Sequence, residues 1–488
     1  MEPIAEFLGK RVIRLWSNID SKELRLFGQV WALALFLKTI VIYFLPLSAD
    51  ETYYWVWGKF PQLGYYDHPA FVSWLWSFGQ IFDPQGIWAK WPAIIFFHSC
   101  LAVFVLEWKH LFPKFPLILS FLVLLAHPFS GLGGVLLTPD LPLMCFWFLS
   151  FVLFSRMTLL LCRSLDEKQT QVHFKIWIWA SLLGLTLGLG FTSKYMMVLF
   201  GAFLFVWYIL VYFFDRPLFQ KIPVRSLGLI VGFGLVGCLP TLWWNFQNKW
   251  ISFSFQIDHG FGSPSFDWSW PRDYVLGSLI LSLPFLLFMI SPRWLRHEAR
   301  SARWILIFAY LCALGPFLFF LKSSLHGHVE LNWPAMAYPF ILLLALHRGV
   351  PKFITTSYLF LFWSLLVGVL FVIHTRPYFV PEKVFKEMVL LRERARESAQ
   401  FSPLWTCDYQ SASIFSFYSR KNVFKIPGCS RFDFYDTRSE FEVPGDLDKL
   451  YFYSQAEQKP PSKLKIKSER FLIVFGDGSS IKELELER

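Results

Sequence analysis

Acidic and basic residues are concentrated in a short stretch that follows the first long apolar segment. Asp50 and Glu51 come directly after that segment, and Asp67 and His68 follow 17 residues later. A positioned carboxylate can accept the proton of an acceptor hydroxyl, and cationic groups can neutralise a leaving phosphate. These are the groups that transfer from a lipid-linked donor requires. The alternative is that Asp50 only caps a short helix over residues 51–58.

Further ionisable side chains lie at the ends of later apolar segments. They are Asp140, Lys194, His326, His328 and Glu330. Charges in or near hydrocarbon are costly and tend to be functional, although each one alone could be a helix-end or snorkelling charge. Lys38, within the first apolar segment, could snorkel or have a packing partner instead of a direct role in a site. Taken together, the groups favour one active site.

A divalent metal is a second use for some of these side chains. Asp67, His326, His328 and Glu330 are hard or borderline ligands, and the His-x-His-x-Glu spacing suits an extended loop. The alternative is a hydrogen-bonded polar loop without metal.

The elements that position these residues follow from composition. Of 488 residues, 55% are hydrophobic and only 17% are charged, whereas soluble domains have about 25% charged residues. The apolar residues form continuous runs of about 20, which is the length a helix needs to cross the hydrocarbon of a bilayer. Continuous rather than alternating runs indicate helices and not a barrel. We predict eleven spans, at residues 27–47, 86–111, 117–137, 141–162, 176–191, 195–214, 226–244, 273–291, 304–321, 331–347 and 353–374.

The basic residues predict the orientation of these spans. Alternate connections are rich in Lys and Arg, which is typical of the cytoplasmic side: Lys10, Arg11, Arg14, Lys22, Arg25, Arg163, Lys168, Lys175, Arg216, Lys221, Arg225, the segment 292–303, Arg348 and Lys352. This bias explains the net charge of +11 without a nucleic-acid partner. The N-terminus is then cytoplasmic, with residues 1–26 forming an interfacial helix on the inner leaflet.

Residues 375–488 lose the long apolar runs and are predicted to form a small α/β domain outside the membrane. Leu450–Tyr453 and Phe471–Phe475 have the pattern of strands, and Phe385–Ala399 that of a helix. Cys407 and Cys429 are the two cysteines of this domain and could form a disulfide in an oxidising compartment. The other five cysteines lie within spans, where small apolar packing explains them.

Several motifs in order along the chain resemble one family. They are Asp50-Glu51 followed by Tyr66-Asp-His-Pro69, then Thr138-Pro-Asp140, Ser193-Lys194, Pro240–Phe253 and His328–Ala335. This set is similar to the first-loop signature and later segments of GT-C fold glycosyltransferases. The likeness is to the bacterial family 39 group related to protein O-mannosyltransferases and to the lipid A aminoarabinose transferase. It covers residues 27–340 and, more faintly, Asp408–Ser413 through Phe417-Tyr418.

The resemblance implies an inverting transfer from a polyprenyl-phosphate sugar at the outer face of the plasma (inner) membrane. The catalytic set would be Asp50, Glu51 and Asp67, with Asp50 at the position of the base. Glu51 would point about 100° away on a helix, which suits an orienting partner. His68 and Lys194 would face the donor phosphate, and Lys194 is the better candidate because an unperturbed His is largely neutral at pH 7. Asp140, His328 and Glu330 complete the site.

This chain departs from the family in three places. His68 stands where the lipid A enzyme has a Lys, which loses a constant positive charge. Lys90 stands where relatives often carry Arg, which loses bidentate phosphate geometry. The β-trefoil of eukaryotic protein mannosyltransferases is absent from the sequence, which argues against an equivalent acceptor. The acceptor could be lipid A or its core, an envelope glycan, or a protein hydroxyl.

Two other functional classes remain to be weighed. A transporter or flippase of lipid-linked substrates would place its charges near the bilayer midplane, often in two corresponding halves, whereas here they gather at one face. A non-catalytic scaffold would leave Asp50, Asp67 and Lys194 without a purpose. The predicted organisation is an all-α membrane domain over residues 27–374, with a catalytic outer loop at 48–85, followed by the domain at 375–488.

Overall fold

The structure is a computed structural model. It describes residues 16, 18–131, 133–165, 170–261, 266–290, 298–375, 379, 386–438, 441–444, 447–455, 458, 460 and 464–486. Four predicted features fall wholly or partly outside these residues: most of the interfacial helix at 1–26, Lys168, half of the basic segment 292–303, and the start of the helix at Phe385.

Helices make up most of the described chain. In chain order they are Ser21–Phe44 (α1), Ala49–Lys59 (α2), Phe71–Gln80 (α3), Trp91–Leu111 (α4), Leu117–Ala126 (α5), Pro128–Gly131 (α6), Asp140–Arg163 (α7), Thr170–Ser193 (α8), Val198–Phe214 (α9), Arg216–Lys221 (α10), Val224–Gln247 (α11), Ile251–Phe261 (α12), Ser269–Ser282 (α13), Phe285–Met289 (α14), Arg300–Ser323 (α15), Tyr338–Arg348 (α16), Lys352–Thr375 (α17), Leu391–Glu397 (α18) and Tyr409–Ser419 (α19). The strands are Leu404–Thr406 (β1), Val423–Lys425 (β2), Lys449–Ser454 (β3), Ile466–Val474 (β4) and Ser480–Leu486 (β5).

Eight helices within the described residues are long and apolar enough to cross a membrane. They differ in how much protein surrounds them. In α1 and α17, 17% of the most apolar window is buried, whereas in the helix Ile87–Leu111 and in α7 the buried share is 67%. Because lipid replaces protein as the apolar surrounding of an outer helix, α1 and α17 have the character of lipid-facing helices. The prediction of an all-α multi-pass membrane protein is confirmed.

Three of the eleven predicted spans form shorter helices. The span at 117–137 is divided into α5 and α6, with the break at His127 before Pro128. The span at 273–291 is divided into α13 and α14 at Leu283-Pro284, because proline lacks the N–H that a continuous helix needs. The span at 331–347 begins as turns and becomes helical only at Tyr338.

Glycines allow α8 and α11 to approach each other closely. A Cβ atom on Gly188 would lie 2.2 Å from the carbonyl oxygen of Gly234, and one on Gly184 would lie 2.3 Å from that of Ile230. Small residues at such spacing let membrane helices pack through their backbones. The Thr192 hydroxyl, one turn beyond Gly188, donates to the Gly237 carbonyl at 3.0 Å.

The chain divides into two compact units. The first comprises Met1–Ile40, Ala93–Val135 and Pro139–Leu365, and contains most of the spanning helices. The second comprises Val41–Pro92, Leu136–Thr138 and Leu366–Arg488. The loop at 48–85 and the C-terminal segment are therefore parts of the same unit. The functional division at residue 375 stays a prediction.

The C-terminal part of the second unit is built on a five-stranded sheet with the order β2-β1-β3-β5-β4. Strand β1 is parallel to β2 and β3, and β5 pairs antiparallel with β3 and β4. Buried apolar residues of α18 and α19 pack with those of the sheet, and Ala49 at the start of α2 joins the same cluster. The small C-terminal α/β domain is confirmed. Cys407 and Cys429 form a disulfide in this domain, with their Cα atoms 5.0 Å apart.

Candidate active site

The helix that carries Asp50 and Glu51 has a well-formed beginning. Ser48 is its N-cap: the Ser48 hydroxyl accepts from the Glu51 amide at 3.2 Å, and the Glu51 carboxylate accepts from the Ser48 amide at 3.3 Å. This reciprocal capping box satisfies two amides of the first turn. The alternative interpretation of Asp50 as the cap of a helix at 51–58 is therefore wrong, because α2 begins at Ala49 and Ser48 caps it.

Glu51 is completely buried, and both of its carboxylate oxygens are used. Besides its bond to Ser48, it accepts from the Lys90 ammonium at 2.9 Å and from the Leu137 amide at 3.1 Å. Neither Glu51 nor Lys90 has any exposed side-chain surface. Through these contacts the first turn of α2 is attached to two other segments of the same unit.

Asp50 points the other way and is exposed. Burial, and then the nearby Asp50 carboxylate, raise the pKa of Tyr409, so the Tyr409 hydroxyl keeps its proton. An exposed carboxylate on a helix whose next residue is fixed in the protein interior is well placed to accept a proton from a substrate hydroxyl.

Asp67 is almost fully buried, at 5% exposure. One of its oxygens accepts from the Tyr53 hydroxyl and the other from the Arg431 guanidinium, both at 2.7 Å. Burial, reinforced by Asp67 and Asp433, raises the pKa of Tyr53, which therefore remains a donor. The Asp67 carboxylate thus holds two side chains.

Arg431 is a cation of the C-terminal segment that contacts this loop. Its guanidinium lies over the Tyr409 ring, 4.7 Å from the ring centroid. Burial alone would lower the pKa of Arg431, but Asp67 and Tyr409 together raise it above its ordinary value, so the positive charge is permanent. Its side chain remains 44% exposed.

The backbone around Arg431 is fixed by a buried ionic cluster. The Lys425 ammonium donates to the Arg431 carbonyl at 2.6 Å, to Asp433 at 2.8 Å and to Asp436 at 2.5 Å. Burial raises the pKa of Asp433 to about 6, an effect that Lys425 opposes.

His68, predicted to face a phosphate, follows Asp67 in the chain and is half-buried. Its carbonyl accepts from the Tyr65 amide at 3.1 Å, and its ring centroid lies 6.2 Å from that of Tyr54. The loop is further tied by the Tyr65 hydroxyl, which donates to the Ser73 hydroxyl at 2.7 Å.

The first unit has a polar centre of its own. The Lys194 ammonium donates to Asp140 at 2.6 Å, and the Asn332 amide donates to the other Asp140 oxygen at 3.0 Å. Asp140 occupies the first position of α7, where the positive end of the helix dipole favours a carboxylate. The predicted residues Asp140 and Lys194 are therefore direct partners.

His328 and Glu330 occupy an exposed position in the same unit. Their nearest nitrogen and oxygen are 3.8 Å apart, and both side chains are 60% exposed. Val329 between them is buried in a small apolar cluster with Tyr274 and Phe320, which anchors the loop.

No group of three or more His, Cys, Asp or Glu side chains is arranged to hold a metal ion within the described residues. Both oxygens of Asp67, one of the predicted ligands, are engaged by Tyr53 and Arg431. The described side chains thus provide no ready metal centre.

The sequence-based prediction omitted four side chains that complete these two centres. Tyr53, Tyr409 and Arg431 surround Asp67, and Asn332 binds Asp140. Asn332 stands two residues after Glu330 in a quoted motif, and Tyr409 lies in the faint C-terminal part of the resemblance. Arg431 follows Cys429 by two residues, but no pattern distinguishes it from the other arginines of the segment.

Comparisons with known proteins concern the family and the fold of this chain. Residues 67–244 match the family described as dolichyl-phosphate-mannose-protein mannosyltransferase. The chain is similar in structure to ArnT from Cupriavidus metallidurans bound to undecaprenyl phosphate, with a TM-score of 0.62 and 14% identity over 95% of this chain and 98% of that one. The apo state of the same ArnT gives a TM-score of 0.61 and 15% identity over 93% and 98%. A comparison with curated proteins found no significant match.

These comparisons confirm the resemblance to GT-C proteins. The fold similarity extends over nearly the whole of both chains, including the C-terminal segment where sequence similarity is faint. The family match includes Asp67, His68, Asp140 and Lys194 but ends well before Arg431.

Proposed function

We propose that this chain is a membrane glycosyltransferase that moves a sugar from a polyprenyl-phosphate donor to a hydroxyl of a cell-envelope acceptor. The match to the mannosyltransferase family and the fold shared with ArnT support this proposal. Since one ArnT structure contains undecaprenyl phosphate, we assign the same class of carrier lipid to this chain. The observation that carries the proposal is the exposed carboxylate of Asp50 beside the buried, ion-paired Glu51.

In this reaction the Asp50 carboxylate accepts the proton of the acceptor hydroxyl. The hydroxyl oxygen forms a bond to the anomeric carbon of the sugar while the bond from that carbon to the phosphate oxygen breaks. The bonding electrons leave with the polyprenyl phosphate, and attack from the opposite face inverts the anomeric centre. Positioned general bases of this kind contribute about 10²- to 10⁴-fold to a rate.

Cationic groups neutralise the charge that develops on the leaving phosphate. Lys194 and His68 are assigned to this role. Lys194 is held by Asp140, so a phosphate would join an existing ion pair and not meet an isolated ammonium.

The acceptor is a hydroxyl of lipid A or its core, of an envelope glycan or of a protein, and we favour an envelope glycolipid or glycan. The site belongs on the outer face of the inner membrane, with the C-terminal domain extracytoplasmic. A topology reporter fused to the C-terminus should then report the extracytoplasmic side, and one inserted in Arg216–Lys221 the cytoplasm. A cytoplasmic signal from the C-terminal fusion would contradict this placement.

A transfer assay tests the activity itself. Purified protein in lipid vesicles is given radiolabelled undecaprenyl-phosphate sugars and an envelope extract, and the labelled product is identified. Asp50→Asn should fold and bind donor but lose activity by roughly a hundredfold or more. Asp83→Asn is the matched control: Asp83 lies in the same loop and its carboxylate accepts from the Trp88 amide at 3.1 Å.

Two outcomes would contradict the proposal. A well-folded Asp50→Asn protein with near-normal turnover would remove Asp50 as the base. Movement of the labelled lipid across the vesicle membrane without any glycosylated product would favour the alternative function of a flippase.

A further inference from the structure

Arg431 is held by two contacts and is still partly exposed. Its guanidinium contacts Asp67 on one side and the Tyr409 ring on another, yet 44% of the side chain remains exposed to solvent. A guanidinium is a planar fork with five N–H donors. The two contacts therefore fix the plane of the fork while a large part of its surface faces outward.

The contacts that fix Arg431 are themselves rigid. Asp67 is 5% exposed, and its second oxygen is occupied by the Tyr53 hydroxyl, whose ring packs against that of Tyr409 with centroids 4.5 Å apart. Tyr53 in turn accepts from the Phe434 amide at 3.0 Å. A buried carboxylate with both oxygens occupied is poorly suited to proton transfer and well suited to orienting a cation.

The main chain is fixed as well. The Lys425 ammonium, which has no exposed surface, donates to the Arg431 carbonyl and to two carboxylates. The Cys407–Cys429 disulfide holds the chain two residues before Arg431. Side chain and backbone are thus both pre-organised around one partly exposed positive charge.

This charge belongs to the same site as Asp50. Asp50 lies one turn before Tyr53 on α2, the ring centroids of Tyr53 and Tyr409 are 4.5 Å apart, and the Arg431 guanidinium lies over the Tyr409 ring. A substrate whose hydroxyl meets Asp50 would bring its neighbouring anionic groups near Arg431. Planar, bidentate recognition of phosphate is the interaction for which arginine is best suited.

We infer that Arg431 binds a phosphate group of a substrate at the Asp50 site, and that Asp67 and Tyr53 are its positioning residues. This inference rests on the proposed transfer function, and extends it by assigning a phosphate contact to the C-terminal segment. The phosphate has two sources, the polyprenyl-phosphate donor and a phosphorylated acceptor.

The experiment compares the wild-type protein with Arg431→Gln and Arg431→Lys in two measurements. The first is the Kd for undecaprenyl phosphate, and the second is the KM for acceptor extract in the transfer assay, before and after phosphatase treatment of the extract. Loss of one charge-assisted contact should weaken binding by roughly 10- to 100-fold, and Arg431→Lys should recover only part because it lacks the fork. Arg438→Gln, which removes a neighbouring charge that lies over the Phe60 ring, is the matched control.

The pattern of results distinguishes the sources. A weaker Kd for undecaprenyl phosphate assigns Arg431 to the donor. If Arg431→Gln leaves the Kd unchanged but raises the KM for untreated extract, and its KM equals that of the wild type on dephosphorylated extract, Arg431 is assigned to the acceptor. If the wild type binds and transfers normally and Arg431→Gln matches it in both measurements, the inference is rejected while the proposed function stands. If the wild type neither binds the lipid nor transfers a sugar, both are rejected. Unfolding temperatures of all variants separate loss of binding from loss of fold.

Discussion

The ammonium of Lys90 and the carboxylate of Glu51 are 2.9 Å apart, and neither side chain is exposed to solvent. Removing two charges from water costs several kcal/mol per ion. Their attraction offsets this cost only when the geometry is good and further hydrogen bonds satisfy the remaining lone pairs and protons. Glu51 meets this condition through the amides of Ser48 and Leu137. The pair fixes the turn from which Asp50 projects.

Removal of one partner should therefore be severe. Lys90→Met leaves a buried, uncompensated carboxylate, and we expect the free energy of unfolding to fall by about 3–5 kcal/mol. The double variant Glu51→Gln/Lys90→Met should regain part of the loss, because no charge remains buried. Denaturant unfolding of the purified protein in detergent measures both. Lys467→Met, which breaks an exposed pair with Glu485, is the control and should change the free energy of unfolding only slightly. A change as small as this for Lys90→Met would contradict the prediction.

Lys194→Ala should weaken the binding of undecaprenyl phosphate more than it weakens folding, if Lys194 neutralises the donor phosphate. Asp140→Asn keeps an acceptor for Asn332 but removes the negative charge that competes with the phosphate for Lys194. The variant protein should therefore bind undecaprenyl phosphate as tightly as the wild type or more tightly. Binding titrations and yields of folded protein are compared. Lys322→Ala removes an exposed positive charge from the same unit as the control. Unchanged affinity together with a collapse in expression would make Lys194 a structural ion-pair partner.

Gly188→Ala should destabilise the contact between α8 and α11. The new methyl group would lie 2.2 Å from the Gly234 carbonyl oxygen, and since that atom is backbone, the helices must separate; overpacking of this kind costs about 1–3 kcal/mol. Gly232→Ala on α11 is the matched control, because a Cβ there has nothing within 4 Å. Thermal unfolding should show a lower Tm for the first variant alone. Equal Tm values would indicate that the helices are not closely packed at Gly188.

Cys407 and Cys429 should be oxidised in the mature protein. They are 22 residues apart in sequence, and closing such a loop stabilises the folded state by about 3 kcal/mol in the chain-entropy model. Cys407→Ser should lower stability by a similar amount, while Cys238→Ser, at a free cysteine of α11, should not. Mass spectrometry without reduction that finds both thiols free would reject the pairing.

The sequence by itself determined the membrane class and the position of most spans. A chain crosses hydrocarbon as apolar helices of about 20 residues or as a closed barrel of alternating strands, so the continuous apolar runs in the sequence predict helical spans. It also directed attention to the loop with Asp50 and Asp67, because Asp50 and Glu51 directly follow an apolar span and Asp67 and His68 come 17 residues later; the function of this loop stays a prediction. The breaks in the spans at Pro128 and Pro284 were not predicted, since apolar content does not indicate where a helix ends.

Only the tertiary structure decided which groups each charged residue contacts. Asp67 was predicted as a member of the catalytic set, but the side chain that occupies it, Arg431, lies 364 residues away in sequence. Glu51 and Asp50 are adjacent carboxylates in different surroundings: Glu51 is buried against Lys90, 39 residues away, and Asp50 is exposed. Hydrogen bonds and ion pairs act over about 3 Å, so the role of a carboxylate depends on which distant groups the fold brings within that distance, and sequence spacing does not specify them.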